Sequence, residues 1–412
     1  MITLIVLRQK IIMTSQRSSS WWQQISNNKP VMVVSPMVDQ SELAFRLLCR
    51  RYHPNTLCYT PMLHSKRFVN DTTYRNRFFQ TCSEDRPLLA QFCGNDADTL
   101  IAAAKIIEHD VDGIDLNLGC PENIAKKGNY GSFLLSDPSN VVEIVRKLVL
   151  NVSVPVTCKI RMMPHGHHIP ETRRGVQGTI NFCLALEAVG CSMICVHARD
   201  RHNKGPKTKD SDWDALRQIK NMVNIPIIAN GNISSRQDVE RCLKLTGVDG
   251  VMSAEALLCD PSLFSVNKEK ELLSAIALDY LELCVLHPTH DFLKVVKPHL
   301  FRLLYGLLNH EEEQDVLLEQ LQQARDIDAC RVVVRELFKL EQSLSTEKQL
   351  SIRLSWYQRH HEKKEKQKDG NGNGKKNQRD DGGDQKTVQQ IRQAKKARKR
   401  KWLESGTRMS GV

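Results

Sequence analysis

The chain has 412 residues, 41% of them hydrophobic, and a formal net charge of +12. Because this length exceeds that of a usual single domain, we expect one large domain with a smaller part attached. Its thirteen cysteines are scattered without a Cys-x-x-Cys pair, which argues against a disulfide framework, and no apolar run approaches the ~20 residues that cross a bilayer.

The amino-terminal segment is apolar and basic. Arg8 and Lys10 lie within the first 13 residues, and no acidic residue precedes Asp39. These features fit a mitochondrial transit peptide or an extension ahead of a start at Met13, and we expect the second. We predict that residues 1–29 form a disordered extension.

Eight short apolar runs are the predicted strands, at 31–34, 57–59, 88–92, 113–116, 154–160, 193–196, 226–229 and 250–252. Helical patterns separate most of them, at 41–51, 96–109, 140–151, 179–189, 214–222 and 236–245, but the helix between the second and third runs is unclear. Apolar strands that alternate with helices form parallel sheets covered on both faces. Eight such units within about 230 residues predict an α/β fold, a closed (β/α)8 TIM barrel, which we place at 30–266. No Gly-x-Gly-x-x-Gly motif follows the first run, which argues against a Rossmann domain.

Candidate rim residues, most of them polar, lie at or just after the end of nearly every predicted strand. They are Pro36, Met37, Tyr59, Gln91, Asn117, Cys120, Lys159, Arg161, His197, Arg199, Asn230, Gly231, Asn232, Ala254 and Glu255. Active sites of such barrels lie at the carboxyl ends of the strands. One residue of this kind is usually structural, but a ring of them predicts an active site at this rim.

Cys120 is the thiol of a Gly-Cys-Pro loop that follows the run at 113–116. No Cys, His or Asp lies nearby at the spacing of metal ligands, so we predict no metal there. A thiol near its usual pKa of about 8.5 is mostly protonated at neutral pH and serves as a proton donor or a nucleophile. The alternative is a small buried side chain in a turn.

Further residues of the rim have a defined chemical use. Lys159 would stabilise negative charge on a cofactor ring, or else form a salt bridge. Loops after the seventh and eighth strands of such barrels commonly bind phosphate, and Gly231 would allow close approach of the backbone. The segment 164–174 contains three histidines and two arginines, and we expect a solvated loop there rather than a metal site.

Beyond the barrel, residues 267–345 have the pattern of a smaller all-helical domain. Lys294, Lys297, His299 and Arg302 lie at near-helical spacing, which predicts one basic face that is either solvated or bound to nucleic acid. Residues 346–412 form a basic and mostly disordered tail, in which 359–402 contains sixteen Lys or Arg and six Asp or Glu. This charge predicts binding to a polyanion or an import receptor, or only a solubilising role.

Several stretches resemble the FMN-dependent tRNA-dihydrouridine synthases, namely 35–39, 91–95, 112–121, 126–132, 157–161, 196–199 and 230–232. Those at 59–62, 124–128, 204–206 and 252–255 are most similar to the eukaryotic branch that acts on positions 16 and 17 of the tRNA D-loop. The resemblance implies a barrel that holds FMN, with NADPH or NADH as reductant and tRNA as substrate. It also implies hydride transfer to C6 of a uracil and proton transfer from Cys120 to C5.

The resemblance implies roles for further residues. Flavin-binding positions are matched by Pro36, Met37, Val38, Gln91, Lys159, His197, Asn230, Gly231 and Asn232. Ala254 and Glu255 replace the family's Gly-Arg pair, so only backbone N–H groups of that turn are expected to bind phosphate. Asn117 matches a pocket residue, and we expect substrate contacts from Arg161, Arg199, Lys294, Lys297 and Arg302.

Two other functions are compatible with these residues. A different FMN barrel that reduces a free pyrimidine would share Lys159 and the phosphate loop, but it has no use for a basic helical domain and tail. A relict barrel that binds RNA without catalysis would not need Cys120, Lys159 and Gln91. We expect a monomer in the cytoplasm, with nuclear import through the basic tail and no membrane partner.

Overall fold

The computed structural model describes residues 17–165, 170–203, 208–267, 271–309 and 315–353. All of them belong to the first of two compact units, which are divided between residues 360 and 361. The strands are β1 Val31–Val34, β2 Leu57–Tyr59, β3 Leu63–His64, β4 Leu88–Cys93, β5 Gly113–Leu118, β6 Val156–Arg161, β7 Ile194–His197, β8 Ile227–Asn230 and β9 Gly250–Ser253.

The α-helices of the barrel are α1 (17–26), α2 Leu43–Tyr52, α3 Ser65–Asn70, α4 Thr72–Phe78, α5 Ala97–Ile107, α6 Asn123–Lys127, α7 Pro138–Asn151, α8 Gly175–Ala188, α9 Trp213–Met222, α10 Arg236–Thr246 and α11 Glu255–Cys259. Those that follow the barrel are α12 Leu273–Leu286, α13 Lys297–Leu303, α14 Tyr305–Leu308, α15 Asp315–Gln323, α16 Ile327–Ser343 and α17 Thr346–Ser351. Short 3-10 helices span Gly131–Ser136 and Glu171–Arg173, and a π-helical turn spans Phe292–Val296. Within the described ranges no helix is long and apolar enough to cross a membrane.

Eight of the strands close into a parallel barrel. Their order is β2-β1-β9-β8-β7-β6-β5-β4, and β2 pairs in turn with β4. The two-residue β3 pairs with the end of β4. The predicted (β/α)8 barrel is therefore confirmed, and each predicted run is a barrel strand within two residues of its expected bounds. The link whose helix was unclear contains the two short helices α3 and α4.

Local sequence explains where the helices begin and end. Asp137 caps α7 by accepting a hydrogen bond from the N–H of Asn140, and proline occupies the first turn, where its missing N–H costs nothing. Ser235 caps α10 in the same way, through the N–H of Asp238. That helix ends at Gly247, whose φ of +67° favours glycine.

The amino-terminal helix α1 closes the bottom of the barrel. Trp21 is only 8% exposed and packs with Val31, Val33 and Leu57, which face the barrel interior. The prediction of disorder over 1–29 is therefore wrong for residues 17–26. The stabilisation gained by burying the Trp21 side chain outweighs the tendency of a segment rich in Ser and Gln to stay disordered. Residues 1–16 lie outside the described residues.

The helical region is joined to the barrel by a buried polar contact. The carboxylate of Glu42, which precedes α2, accepts hydrogen bonds from Tyr280 Oη (2.7 Å) and His299 Nε2 (3.1 Å), and the His299 ring stacks on Phe45. Burial would raise the pKa of Glu42, but the charge of His299 and these hydrogen bonds outweigh it, so the pKa is lowered. The contact fixes the helical region against α2.

The predicted basic face of this region is wrong in part. Lys297 is 7% exposed, and its Nζ donates to the backbone carbonyls of Gln322 (2.7 Å) and Ala324 (3.0 Å). His299 is buried as well, so only Lys294 and Arg302 are exposed. Packing against the end of α15 buries Lys297, and the contacts with Glu42 and Phe45 bury His299.

The expected tail begins later than residue 346. Residues 346–351 form α17, the side chain of Ile352 is buried, and Arg353 forms an ion pair with Asp260. The basic run itself lies outside the described residues, because these end at Arg353. The predicted role of the tail therefore stays a prediction.

Candidate active site

The inward-facing positions of five consecutive strands become polar towards their carboxyl ends. Because side chains alternate along a strand, the barrel places one cluster above its apolar interior: Gln91 of β4, Asp115 and Asn117 of β5, Thr157, Lys159 and Arg161 of β6, His197 of β7 and Asn230 of β8. Tyr59, expected at the rim, is instead fully buried among the apolar side chains of the barrel interior. The rest of the predicted ring lies together at one rim.

The loop that carries Cys120 is held by several hydrogen bonds. Asn117 Oδ1 accepts from the backbone N–H of Gly119 (3.1 Å) and of Cys120 (3.0 Å). The carbonyl of Cys120 accepts from the N–H (3.0 Å) and Oγ (2.9 Å) of Ser132. Gly131 has φ +65°, and a Cβ there would lie 2.7 Å from that carbonyl oxygen. The half-buried thiol therefore sits on a fixed loop.

A chain of hydrogen bonds runs through the interior to this loop. Thr157 Oγ1 donates to Asp115 Oδ1 (2.6 Å), and Gln91 Nε2 donates to Asp115 Oδ2 (2.8 Å). Asn117 Nδ2 then donates to Gln91 Oε1 (2.7 Å). Burial raises the pKa of Asp115 to about 7, against the lowering effect of its hydrogen bonds and of Lys159. Asp115 was not among the residues predicted from the sequence, although its spacing of two residues from Asn117 marks it as facing inward.

Lys159 is a buried cation without a carboxylate partner among the described residues. Its Nζ donates to Asn230 Oδ1 (3.1 Å), and Asn230 Nδ2 donates to the carbonyl of Met252 (3.0 Å). Burial lowers the pKa of Lys159, and the nearby charge of Arg161 acts in the same direction. The alternative of a rim salt bridge is therefore wrong. Within the described ranges the ammonium makes this one hydrogen bond, which leaves two N–H groups for a ligand.

His197 is neutral and has a defined tautomer. Arg199 Nη1 lies 3.2 Å from His197 Nε2, and because a guanidinium only donates, Nε2 accepts and the ring proton sits on Nδ1. Burial, followed by the charges of Arg161, Lys159 and Arg199, lowers the pKa of His197 well below its ordinary value. Arg199 also donates to Asn232 Oδ1. Asn232 thus connects the loop after β8 to this pair.

Arg161 joins two loops of the rim. Its Nε donates to the carbonyl of Gly119 (2.9 Å), and its Nη1 donates to the carbonyls of Asp200 (2.9 Å) and Asn203 (3.4 Å). Burial, with the charge of Arg199, lowers the pKa of Arg161 to about 10. Only Nη2 is left to face a ligand within the described part of the chain. The predicted substrate contact stays a prediction, and the side chain also braces the Cys120 loop.

The other predicted rim residues surround this cluster. Pro36, Met37 and Val38 follow β1, and Val38 is exposed. Gly231 has φ +112°, and a Cβ there would lie 2.6 Å from Ser211 Oγ. Ala254 and Glu255 lie at the start of α11. The segments 166–169 and 204–206 lie outside the described residues. The described residues contain no cluster of three or more metal-ligating side chains.

A family model described as Dihydrouridine synthase (Dus) matches residues 32–289 of the chain. The chain belongs to the dihydrouridine synthase family. The match contains β2 to β9, the polar cluster and the Cys120 loop. It ends before the π-helical turn, so Lys294, Lys297 and Arg302 lie outside it.

Similar curated proteins of the dihydrouridine synthase family extend the match. A mouse protein named tRNA-dihydrouridine(16/17) synthase-like is 41% identical over 307 residues, which are 74% of this chain and 61% of the relative, so the chain spans about three fifths of that relative's length. The Schizosaccharomyces pombe tRNA-dihydrouridine(16/17) synthase is 38% identical over 325 residues, with 76% of this chain and 78% of the relative covered. The Saccharomyces cerevisiae protein of the same name is 39% identical over 299 residues, with 69% and 68% covered.

Proposed function

We propose that this member of the dihydrouridine synthase family reduces the C5–C6 double bond of uridines in tRNA, at D-loop positions 16 and 17. FMN is the cofactor, and NADPH or NADH is the reductant. The observation that supports the proposal most directly is the thiol of Cys120, held on a fixed loop at the rim beside buried cations. The names of the mouse and yeast relatives support the same substrate.

The rim has the charge and the donors that suit FMN. Lys159 and Arg161 are buried without a carboxylate partner among the described residues, which favours an anionic group beside them. Lys159 keeps two N–H donors, and His197 offers the N–H of Nδ1. Bound at this rim, FMN would supply the hydride for C6 of the uracil.

Cys120 holds a proton at Sγ for the second half of the addition. The loop allows its backbone little movement, because Asn117 holds its N–H and Ser132 holds its carbonyl. A fixed acid lowers the entropy lost on reaching the transition state. Cys120 therefore supplies the proton that C5 of the uracil takes up.

The helical region provides exposed cations for the RNA backbone. Lys294 and Arg302 are exposed, whereas Lys297 is buried. A second set, which was not predicted from the sequence, lies on α16, where half-buried Arg331 and exposed Arg335 and Lys339 recur every four residues and so share one face. Arg331 pairs with Asp328 and Lys339 with Glu336, so Arg335 is the cation of this face without an ion pair among the described residues. Phosphate contacts of this kind give affinity without sequence preference. They hold the tRNA while a uridine is unstacked, which costs a few kcal/mol.

The test is reduction of tRNA by the purified, FMN-loaded chain. NADPH and tRNA that lacks dihydrouridine are added, and mass spectrometry of nuclease fragments maps the product. We expect dihydrouridine at positions 16 and 17. Parallel reactions contain free uridine or uracil; reduction of these with unchanged tRNA would replace the proposal with the free-pyrimidine function. Binding of tRNA without any reduction would replace it with the non-catalytic barrel.

The matched control is Cys120→Ala. This variant keeps the Lys159 and His197 donors, so we expect it to retain the visible absorption of bound FMN. Product formation should fall by about 100-fold or more, the usual contribution of a general acid. Full activity in this variant would remove Cys120 from the mechanism while leaving the overall reaction in place.

A further inference from the structure

The barrel interior contains one carboxyl group that the proposed reaction does not use. Asp115 is completely buried on β5, below the Cys120 loop. Burial of a carboxyl group is costly, and in the described chain its two oxygens are used only within the protein, by Thr157 and Gln91. The role of the Asp115 carboxyl group can therefore be inferred from these two hydrogen bonds.

The carboxylate sets the direction of the whole hydrogen-bond chain. Above about pH 7 the carboxyl group of Asp115 is ionised and only accepts hydrogen bonds, so the amide of Gln91 must turn its NH2 towards Asp115 and its oxygen towards Asn117. Asn117 must then turn its NH2 towards Gln91. Its own oxygen is left to accept from the N–H groups of Gly119 and Cys120.

A flipped amide at either step would break the hold on the loop. With Asn117 reversed, an NH2 group would face the N–H groups of Gly119 and Cys120, and two donors would lose their acceptor. We propose that Asp115 is a positioning residue, which fixes the Cys120 loop by orienting the side-chain amides of Gln91 and Asn117. The consequence for catalysis rests on the proposed function, whereas the hold on the loop does not.

The test compares substitutions that remove or keep the acceptor. Asp115→Leu is close in shape but accepts nothing, and the smaller Asp115→Ala tests the same point if leucine does not pack. Asp115→Asn is the conservative variant, because its amide oxygen still accepts from Gln91 while Thr157 Oγ1 turns to accept its NH2. Thr157→Val is the matched control, because it removes the hydrogen bond to Asp115 Oδ1 and keeps the one from Gln91 to Asp115 Oδ2.

The first measurement is hydrogen exchange at pH 8 in the FMN-loaded protein. For the peptide that contains Gly119 and Cys120, we expect Asp115→Leu or Asp115→Ala to raise the exchange rate by about tenfold or more. Asp115→Asn and Thr157→Val should stay within about threefold of the original protein. Unchanged exchange in the folded leucine and alanine variants would overturn the proposal, as would an equal rise in Thr157→Val.

The second measurement is alkylation of the thiols, followed by peptide mass spectrometry. The alkylation rate of Cys120 should change in the Asp115→Leu or Asp115→Ala variant, whereas the alkylation rates of half-buried Cys82 and buried Cys93 should stay the same. An equal change at all three thiols would indicate general unfolding and would overturn a specific role. Both measurements hold whether or not the chain reduces tRNA, so failure of this inference and failure of the proposed function are distinguishable.

The third measurement is the kinetic split, under the proposed reaction. We expect Asp115→Leu to lower kcat by about 10- to 100-fold with little change in KM for tRNA, because the acid is misplaced and the RNA contacts are not. Asp115→Asn should recover most of kcat. A loss confined to KM would overturn the positioning role.

Discussion

At the scale of single residues, the barrel interior and its rim bring two basic groups, Lys159 and His197, close to one acidic group, Asp115. Lys159 and His197 have lowered pKa values because burial and neighbouring cations act in the same direction. Asp115 has a raised pKa because burial outweighs its hydrogen bonds. Each group is thus shifted towards its neutral form, which reduces the cost of keeping them together in a water-poor interior.

Asp115 should make the stability of the fold depend on pH. The native carboxyl group holds its proton up to about pH 7, whereas the unfolded one releases it near 3.8, so between these values the native state binds more protons. The free energy of unfolding, relative to Asp115→Asn, should therefore fall by about 1.4 kcal/mol per pH unit between about pH 5 and 7, and then level off. Urea unfolding of both proteins checks it; a flat difference would contradict the raised pKa.

Residue chemistry could be predicted where it depends on the end of a strand. Cys120, Lys159 and His197 follow apolar runs, and the barrel rule places all three at one rim. Asp115 could not be assigned a role, because its function depends on which neighbouring strand supplies its partners. The burial of Lys297 depends on packing against a segment 25 residues away, which no local spacing reveals.

At the scale of elements, a glycine fixes the shape of the Cys120 loop. Gly131 and Gly247 have nearly the same positive φ, but a Cβ on Gly131 would strike Cys120, whereas one on Gly247 would meet no atom within 4 Å. We expect Gly247→Ala to cost about 1 kcal/mol of stability and Gly131→Ala clearly more. Only Gly131→Ala should change the alkylation rate of Cys120. Equal effects of the two on stability and thiol reactivity would contradict this description of the loop.

The amino-terminal helix provides a second matched pair. Trp21 is buried against the bottom of the barrel, whereas its neighbour Trp22 is only half-buried. We expect Trp21→Ala to lower the unfolding free energy by about 3 kcal/mol or more and Trp22→Ala by less. Bound FMN should be unchanged in both, since the helix lies at the opposite end from the rim. Similar small losses would show that α1 adds little to the barrel.

The barrel strands could be predicted because each is apolar throughout and bounded by turns. α1 could not, because its segment is rich in Ser and Gln, and its stability comes from contacts of Trp21 with distant strands. The π-helical turn could not be predicted from the sequence either, because one extra residue in a helical turn leaves the apolar pattern nearly intact.

At the scale of the whole molecule, the proposed RNA surface uses exposed cations of the helical region, whereas the catalytic rim uses buried ones. We expect Lys294→Glu with Arg302→Glu to weaken tRNA binding and to reduce its dependence on salt, because phosphate contacts release counterions. FMN content should stay the same. The control pair is Arg217→Glu with Arg241→Glu, on barrel helices α9 and α10, which should change affinity little. Equal losses in both pairs would assign the effect to net charge alone.

The buried contact of Glu42 with Tyr280 and His299 has a consequence for target choice. It ties the helical region to the barrel as one body, so cations on that region keep a constant distance from the thiol of Cys120. Under the proposed function, this fixed distance selects the target: the uridine that reaches the rim is the one that lies at the matching distance from the RNA backbone bound by the helical region. Moving the backbone-binding cations to another place on that region would therefore select a different nucleotide.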